Sequence, residues 1–313
     1  MKILVTGAAG FIGSHLCERL VSQGHQVVGI DNFSDYYDPK LKEINANDIE
    51  NTGVTLLRAD LFDDLGSILP NDIDIIYHFA AQPGISAKTP FTDYERNNIQ
   101  VTQNLLQWSI HQNKNTQLFI NIATSSIYGL HATSTEEEAP MPVSDYGVTK
   151  LAAEQLVLAS QRLDKLNACS IRLFSVYGPR ERPEKLYTKL IKAIYEGTSF
   201  PLYEGSEHHE RSFTYVGDIT DGLEKILDHK TVCNGEIINL GSTDVHTTGQ
   251  GIALIEKIIG KKALIEKAGK RPGDQLKTSA TIDKAKMLLE YTPKTDFEEG
   301  LRAQVAWYKE KFL

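Results

Sequence analysis

The sequence predicts an α/β chain, a doubly wound parallel sheet followed by a smaller, mostly helical C-terminal part. Three observations carry this. Short apolar segments alternate with helical stripes over roughly the first 180 residues. Those segments are continuously apolar rather than alternating, as strands covered on both faces are. A glycine-rich loop joins the first of them to the first helix, which is how a βαβ unit opens.

In chain order the strand candidates are KILVTG, QVVGID, VTLLRAD, IDIIYHFAA, QLFINIATSS and CSIRLFSVYG, each rich in Val, Ile and Leu. Between the first two, Ile12, Leu16 and Leu20 fall one turn apart and form an amphipathic stripe. Ile99, Leu105, Leu106 and Trp108 read as another. Strand–helix alternation of this kind requires right-handed crossovers. After Gly178 the pattern loosens. Proline and charge gather in GPRERPEK, a helix is expected over 186–196, a polar loop EGSEHHERSF follows, and EIINLG is a late strand. No repeat or low-complexity linker divides the chain. The expected division is 1–178 as the nucleotide-binding part, joined again by about 212–242, with 179–313 mainly a substrate-binding cap.

Bulk properties narrow the function. The 313 residues carry a net charge of −8, which argues against nucleic acid as a partner. No apolar run approaches the ~20 residues of a membrane helix, and the N-terminus is too interrupted by Gly and Thr for a signal peptide. Cys17, Cys169 and Cys233 have no metal or disulfide spacing, which suits a reducing cytoplasm. The nine histidines lack ligand spacing, so no metal is expected.

In VTGAAGFIG, Gly7, Gly10 and Gly13 are spaced three apart. Gly7 permits a tight turn, Gly10 lets backbone approach a pyrophosphate, and Gly13 lets helix pack on strand. The helix start then offers free N–H groups to phosphates. Asp31 ends the second strand, 18 residues after Gly13. A carboxylate there suits the ribose hydroxyls of NAD and repels the extra phosphate of NADP. Asp60, at the end of the third strand, either reaches the adenine or is a turn residue.

Tyr146 and Lys150 stand four apart at the head of a helix, so both face one way. Thr124, Ser125 and Ser126 end the fifth strand, where ligands of doubly wound sheets lie. A phenol is a poor base at neutral pH, and a nearby ammonium is expected to lower its pKa. Thr124 could then hold a substrate alcohol while Tyr146 takes its proton.

The combination of TGAAGFIGSHL, DNFSDYYDP, HFAA, ATSSIYG, YGVTK, VYGPRERP, RSFTYVGD and RPGD resembles the extended short-chain dehydrogenase/reductase family, and within it the NAD-dependent nucleotide-sugar epimerases. The resemblance implies a Rossmann domain with a C-terminal substrate cap, NAD as cofactor and a UDP-sugar as substrate. It assigns catalysis to Thr124, Tyr146 and Lys150. It assigns NAD contacts to Gly7, Gly10, Phe11, Ile12, Gly13, Asp31, Asn32, Asp60, Leu61, Ala80, Ala81 and Asn97, besides Tyr146 and Lys150. Substrate contacts fall on Pro83, Ser125, Ser126, Ser175, Arg182, Arg211, Arg271 and Asp274, with Arg211 and Arg271 on the diphosphate. It also implies a homodimer through a four-helix bundle from about 95–112 and 146–163, where Leu156, Val157 and Leu163 serve core or interface.

Family dehydratases look like TDEVYG and decarboxylases like TSEVYG at the fifth strand. Here the run is TSSIYG, so Ser126 replaces the carboxylate and epimerisation is favoured. The DNFSDYYDPKLK and GPRERPE runs, with Ser175, look most like UDP-glucuronate 4-epimerases, in which the Arg matching Arg182 binds the uronate carboxylate. The chain departs from that pattern near Ser86, where those enzymes usually have an Arg; Lys88 could substitute, but only as a point charge. Asp145 also replaces a Pro and is expected to face solvent. The rival readings are a UDP-glucose or UDP-N-acetylglucosamine 4-epimerase, a nucleotide-sugar decarboxylase, and a non-catalytic NAD-binding protein.

Overall fold

The segment Lys2–Thr6 forms the first strand, β1, and all of it but Lys2 is buried, which only a strand covered on both faces allows. The structure is a computed structural model that describes residues 1–85, 88–269 and 277–313. Six further strands join β1: β2 (Gln26–Asp31), β3 (Thr55–Arg58), β4 (Ile75–His78), β5 (Leu118–Thr124), β6 (Ala168–Leu173) and β7 (Ile237–Leu240). Their order is β7-β6-β5-β4-β1-β2-β3, and every pairing is parallel. The chain winds outward from β1 to β3 and then restarts at β4 on the other side. The order therefore reverses between β1 and β4, where a crevice opens beyond the strand ends.

The longer helices are α1 (Phe11–Ser22), α2 (Pro39–Asn51), α3 (Val101–His111), α4 (Asp145–Arg162), α5 (Leu186–Glu196), α6 (Val216–Lys225), α7 (Thr248–Ile259) and α8 (Phe297–Phe312). Alternate strand residues feed two cores, because successive side chains leave opposite faces of a sheet. Ile3 and Val5 pack with Leu16 and Leu20 of α1 and with Ile219 and Leu223 of α6. Leu4, between them, packs with Leu105 and Leu106 of α3 and Val157 of α4. The expected stripe on α1 is thus a core stripe. Ile99 falls outside α3, in a π-helical turn over Glu95–Gln100 that leads into it.

A third core holds the cap together. Leu190 and Ile191 of α5, Ile255 of α7, and Phe297 and Leu301 of α8 meet there with Tyr177 and Tyr187. The cap is mostly helical, as expected, and also carries short strands. Ser199–Tyr203 pairs in parallel with Leu264–Ala268. The strands His131–Ala132, Glu210–Arg211, His246–Thr247 and Lys277–Thr278 make a small second sheet. These strands hid from an apolar pattern search because four of the five residues in Leu264–Ala268 are exposed and Ser199–Tyr203 contains Pro201.

Candidate active site

At the mouth of the crevice, Gly7 has φ +68°, and an added Cβ would lie 3.0 Å from the Ala80 nitrogen. A Cβ on Gly13 would lie 2.3 Å from the Gly7 carbonyl oxygen, so loop and helix touch backbone to backbone. Gly10 is the N-cap of α1 and offers no side-chain acceptor. The first-turn N–H groups of Phe11, Ile12 and Gly13 therefore remain available for an anion.

Asp31 is buried at the end of β2. Its carboxylate accepts from the Ala9 nitrogen at 3.1 Å and the Phe33 nitrogen at 2.9 Å. Lys42 of α2, also buried, lies 3.7 Å from the same carboxylate. Burial lowers the Lys42 pKa, and Asp31 partly restores it. Sequence reading missed Lys42, since a Lys on a helix is ordinarily a solvated surface charge. The Asp60 carboxylate accepts from Asn32 at 3.0 Å and from Arg96 at 3.1 Å. Burial alone would raise the Asp60 carboxyl, but hydrogen bonds from Asn32, Phe62 and Arg96 outweigh it and hold it below its ordinary value. Asn32, Phe33, Ala59 and Asp60 line a cleft of about 380 Å³. Buried Leu61 gives its carbonyl to Asn104 at 2.6 Å. The Ala80 nitrogen donates to Thr6 Oγ1 at 3.0 Å, and Ala81 follows it, partly buried, along the crevice.

Asn97 joins this group through Arg96, its side-chain carbonyl accepting from the guanidinium at 2.8 Å. Its neighbour Asn98 is the interior residue. Asn98 accepts from the Gln82 nitrogen at 2.7 Å and donates to Thr149 of α4 at 2.9 Å. It lies in the π turn, a distortion common at functional sites, and sequence periodicity gave no sign of it.

Thr124 ends β5, and its Oγ1 accepts from the Ser126 nitrogen at 3.2 Å, capping a 3-10 turn over Ser125–Tyr128. Ser144 caps α4 in the same way. These two caps aim strand and helix at one point, where Thr124 and Tyr146 share a hydrogen bond. The Tyr146 ring packs 6.3 Å from that of Tyr94, whose hydroxyl donates to the Gly84 carbonyl at 2.7 Å. Lys150 is one turn further and 4 % exposed.

One expectation is corrected here. Burial raises the Tyr146 pKa above its ordinary value, against the opposing pull of the Thr124 hydrogen bond and the Arg182 charge. Burial pushes Lys150 itself down to about 8, with Glu154 holding it up.

On the substrate side, Arg182 reaches Tyr146 with its charge and lies 5.9 Å from the centre of the Tyr36 ring. Its Nη1 is 3.1 Å from Glu184 but has no hydrogen-bond acceptor among the described residues. Pro83, Ser126 and Ser175 are partly exposed and Ser125 is buried. Ser175 gives its carbonyl to the Thr214 nitrogen at 2.9 Å. Arg211 donates to its neighbour's carbonyl at 3.1 Å, on the short strand Glu210–Arg211. Asp145 is exposed, as expected. Ser86, Arg271 and Asp274 lie outside the described residues. Among the described residues no His, Cys, Asp and Glu cluster could hold a metal, and no helix is long and apolar enough to cross a membrane.

Known proteins resemble this chain in sequence and in fold. The sequence profile of the NAD dependent epimerase/dehydratase family matches residues 3–241. An uncharacterized UDP-glucose epimerase of Bacillus subtilis is 37% identical over 314 residues, covering 98% of each chain. UDP-glucuronate 4-epimerase 6 of Arabidopsis thaliana is 34% identical over 334 residues, covering 98% of this chain and 71% of its own. The structure of UDP-glucuronic acid 4-epimerase from Bacillus cereus, in complex with UDP-glucuronic acid and NAD, superposes with a TM-score of 0.94 at 38% identity over the full length of both chains.

Proposed function

This chain belongs to the NAD-dependent epimerase/dehydratase family, and from that membership we propose that it inverts carbon 4 of a UDP-sugar, UDP-glucuronate first of all. The observation that carries this is the meeting of Thr124, Tyr146 and the Arg182 charge at the end of β5, with Ser126 where an acid would stand.

The cofactor site fits a dinucleotide. The glycine cradle leaves no room for a Cβ at Gly13, the start of α1 is uncapped by side chains, and a carboxylate waits at the end of β2. NAD bound there would supply the hydride chemistry at carbon 4. The chain supplies the rest. Gly7, Gly10, Phe11, Ile12 and Gly13 hold the pyrophosphate. Asp31 takes the ribose hydroxyls, and Asn32, Asp60 and Leu61 flank the adenine. Thr124 holds the sugar's 4-hydroxyl while Tyr146 removes its proton, and the same phenol returns it after the 4-keto sugar has turned over. Lys150 supplies positive charge one turn behind the phenol. Arg182 pairs with the carboxylate of the uronate, which needs a charged partner once it leaves water.

Changing Arg182 to Leu tests the substrate. A charge-assisted pair is worth roughly 1.5–3 kcal/mol, or about ten- to more than a hundredfold in affinity. The Kd of UDP-glucuronate should rise by that factor, while that of UDP-glucose changes little. Equal loss for both sugars places Arg182 on the diphosphate, and no loss places it outside the site. Either outcome defeats the uronate assignment. A neutral hexose is the second reading, favoured by Glu184, whose carboxylate already lies 3.1 Å from the guanidinium. Product NMR on a nucleotide-sugar panel separates the two.

We further propose a cytoplasmic homodimer. Three buried free thiols suit a reducing compartment. In this division of labour, 1–178 with about 212–242 holds the cofactor and the rest of 179–313 mainly holds the substrate.

A further inference from the structure

Beneath the catalytic helix lies a charged network that the mechanism above does not use. Glu154 is one turn beyond Lys150 on the same buried face of α4 and has 0 % exposure. Its carboxylate is gripped by Arg172 of β6, with Nε to Oε2 at 3.0 Å and Nη2 to Oε1 at 2.7 Å. Ser170 Oγ donates to it at 3.0 Å. The third arm of the guanidinium, Nη1, donates to the Tyr128 hydroxyl at 2.7 Å, and Tyr128 donates to Asn239 at 2.8 Å. Tyr128 closes the turn that Thr124 caps. One network thus joins the helix of Tyr146 to the strand end of Thr124.

The charges around Lys150 are few. Glu154 faces it from its own helix, with Tyr146 one turn back. From β4 it is faced by His78, which bridges Thr6 and Thr102 at 2.9 Å each and which burial, with the Lys150 charge, holds neutral. On β6, Arg172 is already paired with that same Glu154. A buried ammonium needs a counter-charge. Glu154 is the carboxylate placed to serve, and Arg172 and Ser170 fix where it points.

We infer that Glu154 is a positioning residue that keeps Lys150 charged at neutral pH, with Arg172 as its clamp. A purely architectural pair would hold the same elements together but leave the ionisation of Lys150 alone. The inference rests on the reading above only where kinetics are used.

The test follows the 13Cε signal of Lys150 in lysine-labelled protein, assigned by its loss in Lys150→Met. In the unaltered chain the signal should titrate near pH 8. In Glu154→Gln its midpoint should fall by about one pH unit, a tenfold change in the ionisation constant. A buried pair exchanged for apolar residues of similar size often keeps its stability. Glu154→Met/Arg172→Met therefore carries the test if the single variant does not fold, and it should show the same direction of shift. The alkaline limb of kcat/KM for the sugar nucleotide should move with the NMR midpoint, so that activity falls about fivefold at pH 8 and only about twofold at pH 7. An unmoved Lys150 midpoint in the folded variants, with activity lost equally at every pH, overturns the inference. A moved midpoint in a protein with no epimerase activity upholds it and removes the proposed function instead.

Discussion

A phenol that must accept a proton would ionise most easily in water, yet Tyr146 is packed against Tyr94 and its pKa is raised. Burial thus works against the base role, while the Thr124 hydrogen bond and the Arg182 charge work for it. Two outcomes follow at this scale. In protein stripped of cofactor, the Tyr146 phenolate signal, taken as the difference from Tyr146→Phe, should be absent up to about pH 9, because the raised pKa keeps the proton on below it. Tyr146→Phe should lose about 10²–10⁴ in turnover while keeping its melting temperature, since the ring packing survives and only the hydrogen bond to Thr124 goes. Retention of more than half the activity would assign the base elsewhere. Tyr146, Lys150 and Thr124 were legible because spacing and strand end announce them. Asn98 and Glu154 were not, because their partners Gln82 and Arg172 lie 16 and 18 residues away. One signal was there to be read: Ser170 and Arg172 interrupt a fully buried strand, and a polar residue in such a strand requires a partner.

At the scale of elements, β1, its loop and α1 act as one piece, because the carbonyl of Gly7 is the surface on which Gly13 rests. Gly13→Ala puts a methyl group 2.3 Å from that backbone oxygen, and neither partner can rotate away. The helix must lift, at roughly 1–3 kcal/mol for such overpacking. Thermal denaturation should show a lower Tm, and calorimetry should show weaker NAD binding, as the displaced N–H groups lose their aim. Unchanged values for both would mean that the loop yields without cost. The long strands were readable from continuous apolar runs. The short cap strands were not, because exposed two-stranded pairs carry no such signature.

At the scale of the whole molecule, α3 and α4 lie side by side with an outer row that includes exposed Gln103, Gln107, Val148, Gln155 and Ala159. Val157 is buried and Leu156 packs against the same core, whereas Leu163 is 63 % exposed. Sedimentation should find a dimer. Ala159→Arg should weaken it by on the order of a hundredfold, because a two-fold axis brings each new charge toward its own copy. An unchanged sedimentation profile would move the interface off this face. The path of the chain through the sheet bears on how the protein is made. Strand β7 seals the outer edge of β6, yet it ends at residue 240 of 313, after the chain has left the sheet and returned. During synthesis β6, apolar and wholly buried in the finished fold, waits as a bare edge that any neighbouring chain can pair with. The emerging polypeptide is therefore open to edge-to-edge pairing over that interval, and a fragment cut at Gly178 is expected to precipitate, as centrifugation would show, rather than serve as a separate nucleotide-binding module.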